Sequence, residues 1–249
     1  MKATVQQKLH EIEKEHNIRV LYACESGSRA WGFPSPDSDY DIRFIYARPL
    51  NDYLSVKVYK DNLRLPIDDE LDVEGWDIYK ALQLMSKSNS TVFEWIQSPT
   101  IYLEKADFRN ELWDLSQHYF CARTNIHHYL GIAQGALKSM DNDKLKIKKL
   151  FYVLRPLLAA LWCAEKGSIA PMDIQSLICL LPSELQRKVT ALIALKANKK
   201  DSFEMKPDRD ARIWIEKTFD HCDTVSKTLE KKFFEVDKID EFFRKTVLE

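Results

Sequence analysis

The sequence predicts an α+β fold over the first part of the chain and an all-α fold over the rest. Two observations carry this expectation. Runs rich in β-branched and aromatic residues, at 18–23, 40–46 and 70–76, all fall in the first part. Beyond about residue 112 strand signals nearly vanish, and apolar residues recur at helical spacing instead. No internal repeat or low-complexity linker separates the two parts, so two closely packed domains are expected, residues 1–111 and 112–249.

The elements follow in order. Val5, Leu9 and Ile12 are spaced for a helix over 4–16, with Thr4 as a candidate cap. IRVLYA reads as a strand, and Pro34 and Pro36 then force a turn. YDIRFIY reads as a second strand. Val56–Tyr59 fits a short extended piece or part of a helix. ELDVEGW reads as a third strand, and Asp77 stands where an N-cap would precede Ile78, Ala81, Leu82 and Met85. Thr91–Ile96 suits another short helix. In the second part, Ile126, Leu130, Ala133 and Leu137 form one helical stripe. Ile147 to Leu161 form another, with Pro156 as a kink or break. Ser183 and Gln186 fit a capping box, Pro207 suits the start of a helix through Trp214 to Leu229, and a last helix covers 239–247.

Composition narrows the class. A 45% apolar fraction fills a core and 30% charged residues cover a surface. No run of about 18 apolar residues is present, so no membrane span is expected, and the N-terminus lacks the apolar stretch of a signal peptide. Five cysteines (24, 121, 163, 179 and 222), none in a Cys-x-x-Cys pair, read as reduced thiols of a cytoplasmic protein. His118 and Cys121 have no second ligand pair, which argues against structural zinc. The net charge of −1 conceals a balance of −5 over residues 1–111 and +4 over 112–249. The first part concentrates carboxylates; the second is mildly basic.

The stretch CESGSRAWGFPSPDSDYDIRF, residues 24–44, carries the chemistry. Asp39 and Asp41 are two residues apart, which on a strand places them on one face, with Tyr40, Ile42 and Phe44 on the other. Paired carboxylates repel unless a cation lies between them, and a hard divalent ion takes oxygen ligands. Gly27-Ser28 follows a strand and opens a short helical segment. There a glycine lets backbone N–H groups approach an anion, and a hydroxyl adds a donor aimed at phosphate. Arg29 adds a charge-assisted contact or clamps an acid. Arg43 shares the acidic face and either neutralises the pair or touches a phosphate. Asp37, in Pro-Asp-Ser, is ordinary turn chemistry.

With these residues the chain resembles the DNA polymerase β-type nucleotidyltransferase superfamily: a Gly-Ser turn, an Asp-x-Asp strand, and a third acid on a later strand. GSRAWGFPSPDSDYDIRFIY and LDVEGWDIYKALQLMSKSNSTVFEWIQSP look like one nucleotidyltransferase subfamily that includes RNA-ligase-associated members. The likeness covers residues 18–100, and more loosely KKLFYVLRPLLAALW. It implies a small mixed sheet with flanking helices and transfer of a nucleoside monophosphate from a triphosphate, ATP among the candidates, to an acceptor hydroxyl. Mg²⁺ or Mn²⁺ would be held by Asp39, Asp41 and a third carboxylate, and the β- and γ-phosphates by Gly27 and Ser28. Asp72, in Leu-Asp-Val, is preferred as the third acid. Asp77 is held in reserve, because capping explains it without a metal. Glu74 shares a face with Asp72.

Other residues take plainer roles. Trp31 reads as core or a lid over the turn, Asn89 as a loop amide, Glu94 as a buried ion-pair partner, and His127-His128-Tyr129 as surface followed by core. Lys138, Lys144, Lys146, Lys148, Lys149 and Arg155 form the best polyanion candidate, though a solvated helix face explains them as well. RNA ends, met through the helical half, rank first as acceptor. Protein side chains come second and small molecules third, and the rival of another class is a non-catalytic nucleotide- or RNA-binding module.

Overall fold

A computed structural model describes residues 1–66, 70–139, 145–206 and 208–248. Helix α1 (Lys2–His16) leads into β1 (Arg19–Glu25), the single turn α2 (Gly27–Ala30) and β2 (Tyr40–Ala47). Next come α3 (Leu50–Tyr53), β3 (Asn62–Arg64), β4 (Leu71–Asp77), α4 (Ile78–Ser86) and α5 (Ser90–Ile96). Strand β5 (Ile101–Glu104) and α6 (Phe108–His118) follow, then α7 (Ala122–Lys138), β6 (Leu145–Lys146) and α8 (Ile147–Lys166). The chain ends with α9 (Ile174–Leu177), α10 (Ser183–Lys196), β7 (Glu204–Met205), α11 (Arg209–Thr228) and α12 (Asp237–Leu248).

The α+β class holds. Contacts group the chain into two units: residues 1–27, 39–119 and 233–249 in the first, 28–38 and 120–232 in the second. This grouping differs from a single boundary at 111/112. That cut would fall inside α6, while α12 belongs with the sheet and the 28–38 turn with the helices. The reason for α12 is its apolar stripe: Ile239 and Phe242 are buried, Phe242 lies 5.7 Å from Phe108, and Arg19 Nη2 donates to the Thr246 carbonyl at 2.7 Å.

The first unit is a mixed five-stranded sheet in the order β3-β4-β2-β1-β5, with β2 and β4 parallel and the other neighbours antiparallel. β3 and β5 are strands that the sequence pattern did not single out. One face packs on α1, where Val5, Leu9 and Ile12 meet Val20, Ile42, Phe44, Tyr46 and Val73. Ile42 and Phe44 therefore turn inward, as the alternation along β2 expects. Each such buried side chain stabilises the fold by about 1.5–3 kcal/mol. Gly75 lies opposite Phe44 in the β2–β4 register. A Cβ there would stand 2.2 Å from the Phe44 ring, so only glycine lets that ring cross β4. On the other face Trp76 packs on Trp95 of α5 at 4.2 Å, and Tyr22 donates its hydroxyl to the Trp95 carbonyl at 2.8 Å.

The second unit packs α7, α8 and α11 together and adds only the two-residue ladder β6–β7 to its helices. α8 continues through Pro156, so the expected local break is absent. Burial of residues all round that segment offsets the one missing hydrogen bond. α10 begins at Ser183 with Pro182 as N-cap, so Ser183 lies inside the helix and forms no capping box. Thr4 likewise lies inside α1, whose N-cap is Met1. Val56–Tyr59 is neither helix nor strand, and Val56 and Val58 are fully exposed. Pro207 and Lys144 lie outside the described residues.

The turn 28–38 is anchored within the second unit. Phe33 stacks on Phe151 at 4.8 Å, and the Trp31 carbonyl accepts from Ile174 N–H at 2.9 Å. Ser35 donates to Asp201, and Asp37 Oδ1 accepts from Asp201 N–H at 3.0 Å. Asp201 also pairs with Lys148 and the fully buried Lys196, both at 2.7 Å. Burial works against the charge of Asp201, but hydrogen bonds from Lys148, Lys196 and Ser35 outweigh it and hold the carboxyl at about 2.

Candidate active site

Asp41 is the second residue of β2, and Asp72 is the second of β4. The parallel pairing puts them directly side by side. Adjacent strands lie about 4.8 Å apart, so two carboxylates 31 positions apart in the sequence share one patch of the sheet. Both are partly buried, at 24% and 20% side-chain exposure. Arg43 joins them: its Nη2 lies 3.0 Å from Asp41 Oδ1 and 2.8 Å from Asp72 Oδ2. Arg43 is thus placed to offset the charge of the pair. The other oxygen, Asp72 Oδ1, is buried and has no hydrogen-bond partner among the described residues.

Asp39 stands one residue ahead of β2 and is exposed. It is not gathered with the other two: among the described residues no three His, Cys, Asp or Glu side chains form a preassembled metal cluster. The donor chemistry still suits a hard divalent cation. Asp41 and Asp72 supply carboxylate oxygens in register, and the orphaned Asp72 Oδ1 is a lone-pair donor that no described residue satisfies.

Gly27 has φ +59, the left-handed region that costs any other L-residue about 1–2 kcal/mol. The space above its Cα is filled by the Asp41 carboxylate, and a Cβ would stand 1.8 Å from Asp41 Oδ2. The glycine thus makes room for a side chain of the protein itself. Ser28 donates its hydroxyl to Ser38 Oγ at 3.0 Å, and Arg29 Nη2 donates to the Ser38 carbonyl at 2.8 Å. Both stiffen the turn that carries them.

Asp77 is placed apart from the acidic pair. It lies opposite Tyr46 near the other end of β2, caps α4 by accepting from Tyr79 N–H at 2.9 Å, and accepts the Tyr53 hydroxyl at 2.9 Å. Its second oxygen lies 3.3 Å from Arg48 Nε. Burial pushes the Asp77 carboxyl above its ordinary range, against those partners. Replacing Asp77 by Ala is expected to cost about 3 kcal/mol of stability, because the cap and a buried ion pair are lost together. Catalysis per folded molecule should stay within a few-fold of the native value. A urea melt alongside a transfer assay checks both; a rate loss as large as that of Asp72→Asn would place Asp77 in the catalytic machinery. Glu74 accepts from Trp76 Nε1 at 3.1 Å. Asn89 caps α5, and Glu94 is buried within it.

The basic run does not form one patch. Arg155 is buried, donating Nε and Nη2 to the Met172 carbonyl at 3.2 and 3.0 Å beneath the Trp31 ring. It is therefore withdrawn from any polyanion surface, because α8 is buried on nearly every side there. Lys148 is paired with Asp201 and Lys149 bonds the Ser139 carbonyl, leaving Lys138 and Lys146 as the exposed members among the described residues.

One residue of the site escaped the sequence reading. Glu25, the last of β1, is 2% exposed. Its Oε1 accepts from Asp41 N–H at 2.8 Å, and its Oε2 accepts the Tyr102 hydroxyl. Ser26 N–H donates to the Asp41 carbonyl at 2.7 Å, so both main-chain groups of Asp41 are held by consecutive residues. The available signal was the one acid of a strand that is apolar from Val20 to Cys24, a charge too costly to bury without a task.

Comparison with known proteins supplies the family. Residues 1–245 match the family described as the RNA repair pathway DNA polymerase beta family, RlaP. The protein YcgL of Bacillus subtilis (strain 168) is 39% identical over 214 residues, covering 86% of this chain and 81% of that one. Among solved structures, the spectinomycin adenyltransferase AAD(9) from Enterococcus faecialis, with ATP and spectinomycin, aligns with a TM-score of 0.41 at 12% identity. That alignment covers 90% of this chain and 99% of the other. A nucleotidyltransferase-like protein from Exiguobacterium sibiricum 255-15 aligns at 0.33 and 11% identity, over 90% of this chain and 75% of its own. With a family match that spans nearly its whole length, the chain belongs to the RNA repair pathway DNA polymerase beta family and is an enzyme of the nucleotidyltransferase class.

Proposed function

We propose that the protein transfers a nucleoside monophosphate from a nucleoside triphosphate to a hydroxyl at an RNA end, with Mg²⁺ or Mn²⁺ as cofactor. The observation that carries this reading is the in-register pair Asp41 and Asp72, with one oxygen buried and unpartnered. Asp39, Asp41 and Asp72 would hold the cations. Bound there, divalent cations supply a lowered pKa at the attacking hydroxyl and charge neutralisation at the leaving group. Gly27, Ser28 and Arg29 bind the triphosphate. The acceptor oxygen attacks the α-phosphorus, the bond from that phosphorus to the β-bridging oxygen breaks, and pyrophosphate leaves. The hydroxyl proton passes to Asp72. An RNA acceptor suits the family's RNA repair context and the +4 balance of residues 112–249. The cysteines, all free thiols, suit the cytoplasm.

The test is incubation of the purified protein with Mg²⁺ or Mn²⁺, each labelled triphosphate, and total cellular RNA and protein. Label is expected in RNA, with pyrophosphate released in equal amount. Label in protein alone overturns the acceptor assignment, and label in neither fraction overturns transfer to a macromolecule. Asp39→Asn combined with Asp41→Asn should abolish the transfer; full activity in that variant would move the site elsewhere.

A further inference from the structure

We propose that Arg43 is a built-in counter-cation that holds the acidic pair closed and competes with the divalent cation for it. The inference rests on reading Asp41 and Asp72 as cation ligands. Arg43 lies two residues beyond Asp41 on the same strand face, and its side chain is 16% exposed. Four hydrogen bonds hold its guanidinium. Nη2 reaches Asp41 Oδ1 and Asp72 Oδ2, while Nη1 reaches the carbonyls of Ile42 at 3.0 Å and Asp72 at 2.8 Å.

A guanidinium keeps its charge, so only its displacement relieves the competition. With it in place, the two carboxylates and one guanidinium sum to a single negative charge. An incoming divalent ion then meets a site already half neutralised, and a fixed positive charge within a few ångströms. Two cations in one partly buried patch repel strongly. The pair gives its full charge to the metal only when Arg43 leaves Asp41 Oδ1 and Asp72 Oδ2.

A triphosphate supplies the reason to leave, since its oxygens are strong acceptors for a guanidinium. Cation alone should therefore bind weakly, and cation with nucleotide more tightly. That coupling is reciprocal by thermodynamic linkage. Arg43 on this reading is a positioning residue that favours the metal–nucleotide complex over the free ion.

The experiment is calorimetric titration of Mn²⁺ into the nucleotide-free protein, with thermal midpoints measured in parallel. Arg43→Gln removes the charge and retains hydrogen-bonding groups. It is expected to bind Mn²⁺ about tenfold more tightly than the native protein. Without cation its midpoint should fall below the native value, and Mn²⁺ should restore it. Arg43→Lys keeps a charge and should bind Mn²⁺ weakly, as the native protein does. Equal or weaker Mn²⁺ binding by Arg43→Gln overturns the inference, because Arg43 would then be orienting the ligands. If Arg43→Gln does not fold, Arg43→Lys decides the matter through the nucleotide. A non-hydrolysable triphosphate should tighten Mn²⁺ binding to native and Lys proteins alike, and no tightening in either overturns the competition. Undiminished Mn²⁺ binding by Asp41→Asn, or none by any variant, overturns the cation site itself.

Discussion

Replacing Gly27 by Ala is expected to lower nucleotidyl transfer by at least about a hundredfold and to cost about 2–3 kcal/mol of stability. The stability loss has two sources. The backbone at φ +59 penalises a Cβ by about 1–2 kcal/mol. The Cβ also meets Asp41 Oδ2 at 1.8 Å and Asp41 Cγ at 2.7 Å, distances that require one group to move. Asp41 cannot yield along the strand, because Ser26 N–H and Glu25 Oε1 hold its carbonyl and its N–H. The carboxylate must swing away instead, which carries it off Arg43 and out of line with Asp72. Gly167 supplies the control: it has φ +61 at the end of α8 and open space where a Cβ would go. Gly167→Ala should show the strain alone, with transfer unchanged. Urea melts and labelled-triphosphate transfer on both variants make the comparison. Native activity in Gly27→Ala would mean that the Asp41 carboxylate need not sit where the structure places it.

The Gly-Ser turn and the strand that begins at Tyr40 were legible because their pattern is local. Two-residue alternation assigns opposite faces to Asp41 and Ile42 before any partner strand is known. Asp72 was legible as an acid between apolar residues, but its register with Asp41 was not, since parallel pairing across 31 positions leaves no mark in a window of sequence. Gly27 shows the same limit. Its flexibility was plain, whereas the group that fills the space above it belongs to β2.

The helical part was read well in outline and less well in allegiance. A stripe such as Ile239, Phe242 and Thr246 states that a helix has something to bury, without stating against what. α12 accordingly joined the sheet unit. Arg155 was misplaced for a related reason. Counting charges along Lys138 to Arg155 ignored FYVLRPLLAALW, which is apolar all round, so any charge within it is enclosed. β3 and β5 are three and four residues long, too short for alternation to stand out.

Glu25 is where the second large effect is expected. Glu25→Ala removes the acceptor of Asp41 N–H and of the Tyr102 hydroxyl in a buried setting. Each unsatisfied donor costs about 1–3 kcal/mol, so a loss of about 3–5 kcal/mol is expected. Glu25→Gln separates position from charge. Its amide oxygen still accepts from Asp41 N–H, while its NH₂ group faces Tyr102, whose hydroxyl must then accept instead of donate. The fold should survive this with a loss of about 1 kcal/mol. Tyr102→Phe leaves the charge of Glu25 in place and removes only one of its tethers. If Glu25 acts by clamping the main chain of Asp41, all three variants should lower kcat with KM for the triphosphate nearly unchanged. The order of loss should be Ala, then Gln, then Phe, with about tenfold, or 1.4 kcal/mol, for Gln. A rise in KM at constant kcat would instead give Glu25 a part in binding the triphosphate. Stability loss with kcat intact would confine it to holding β1, β2 and β5 together.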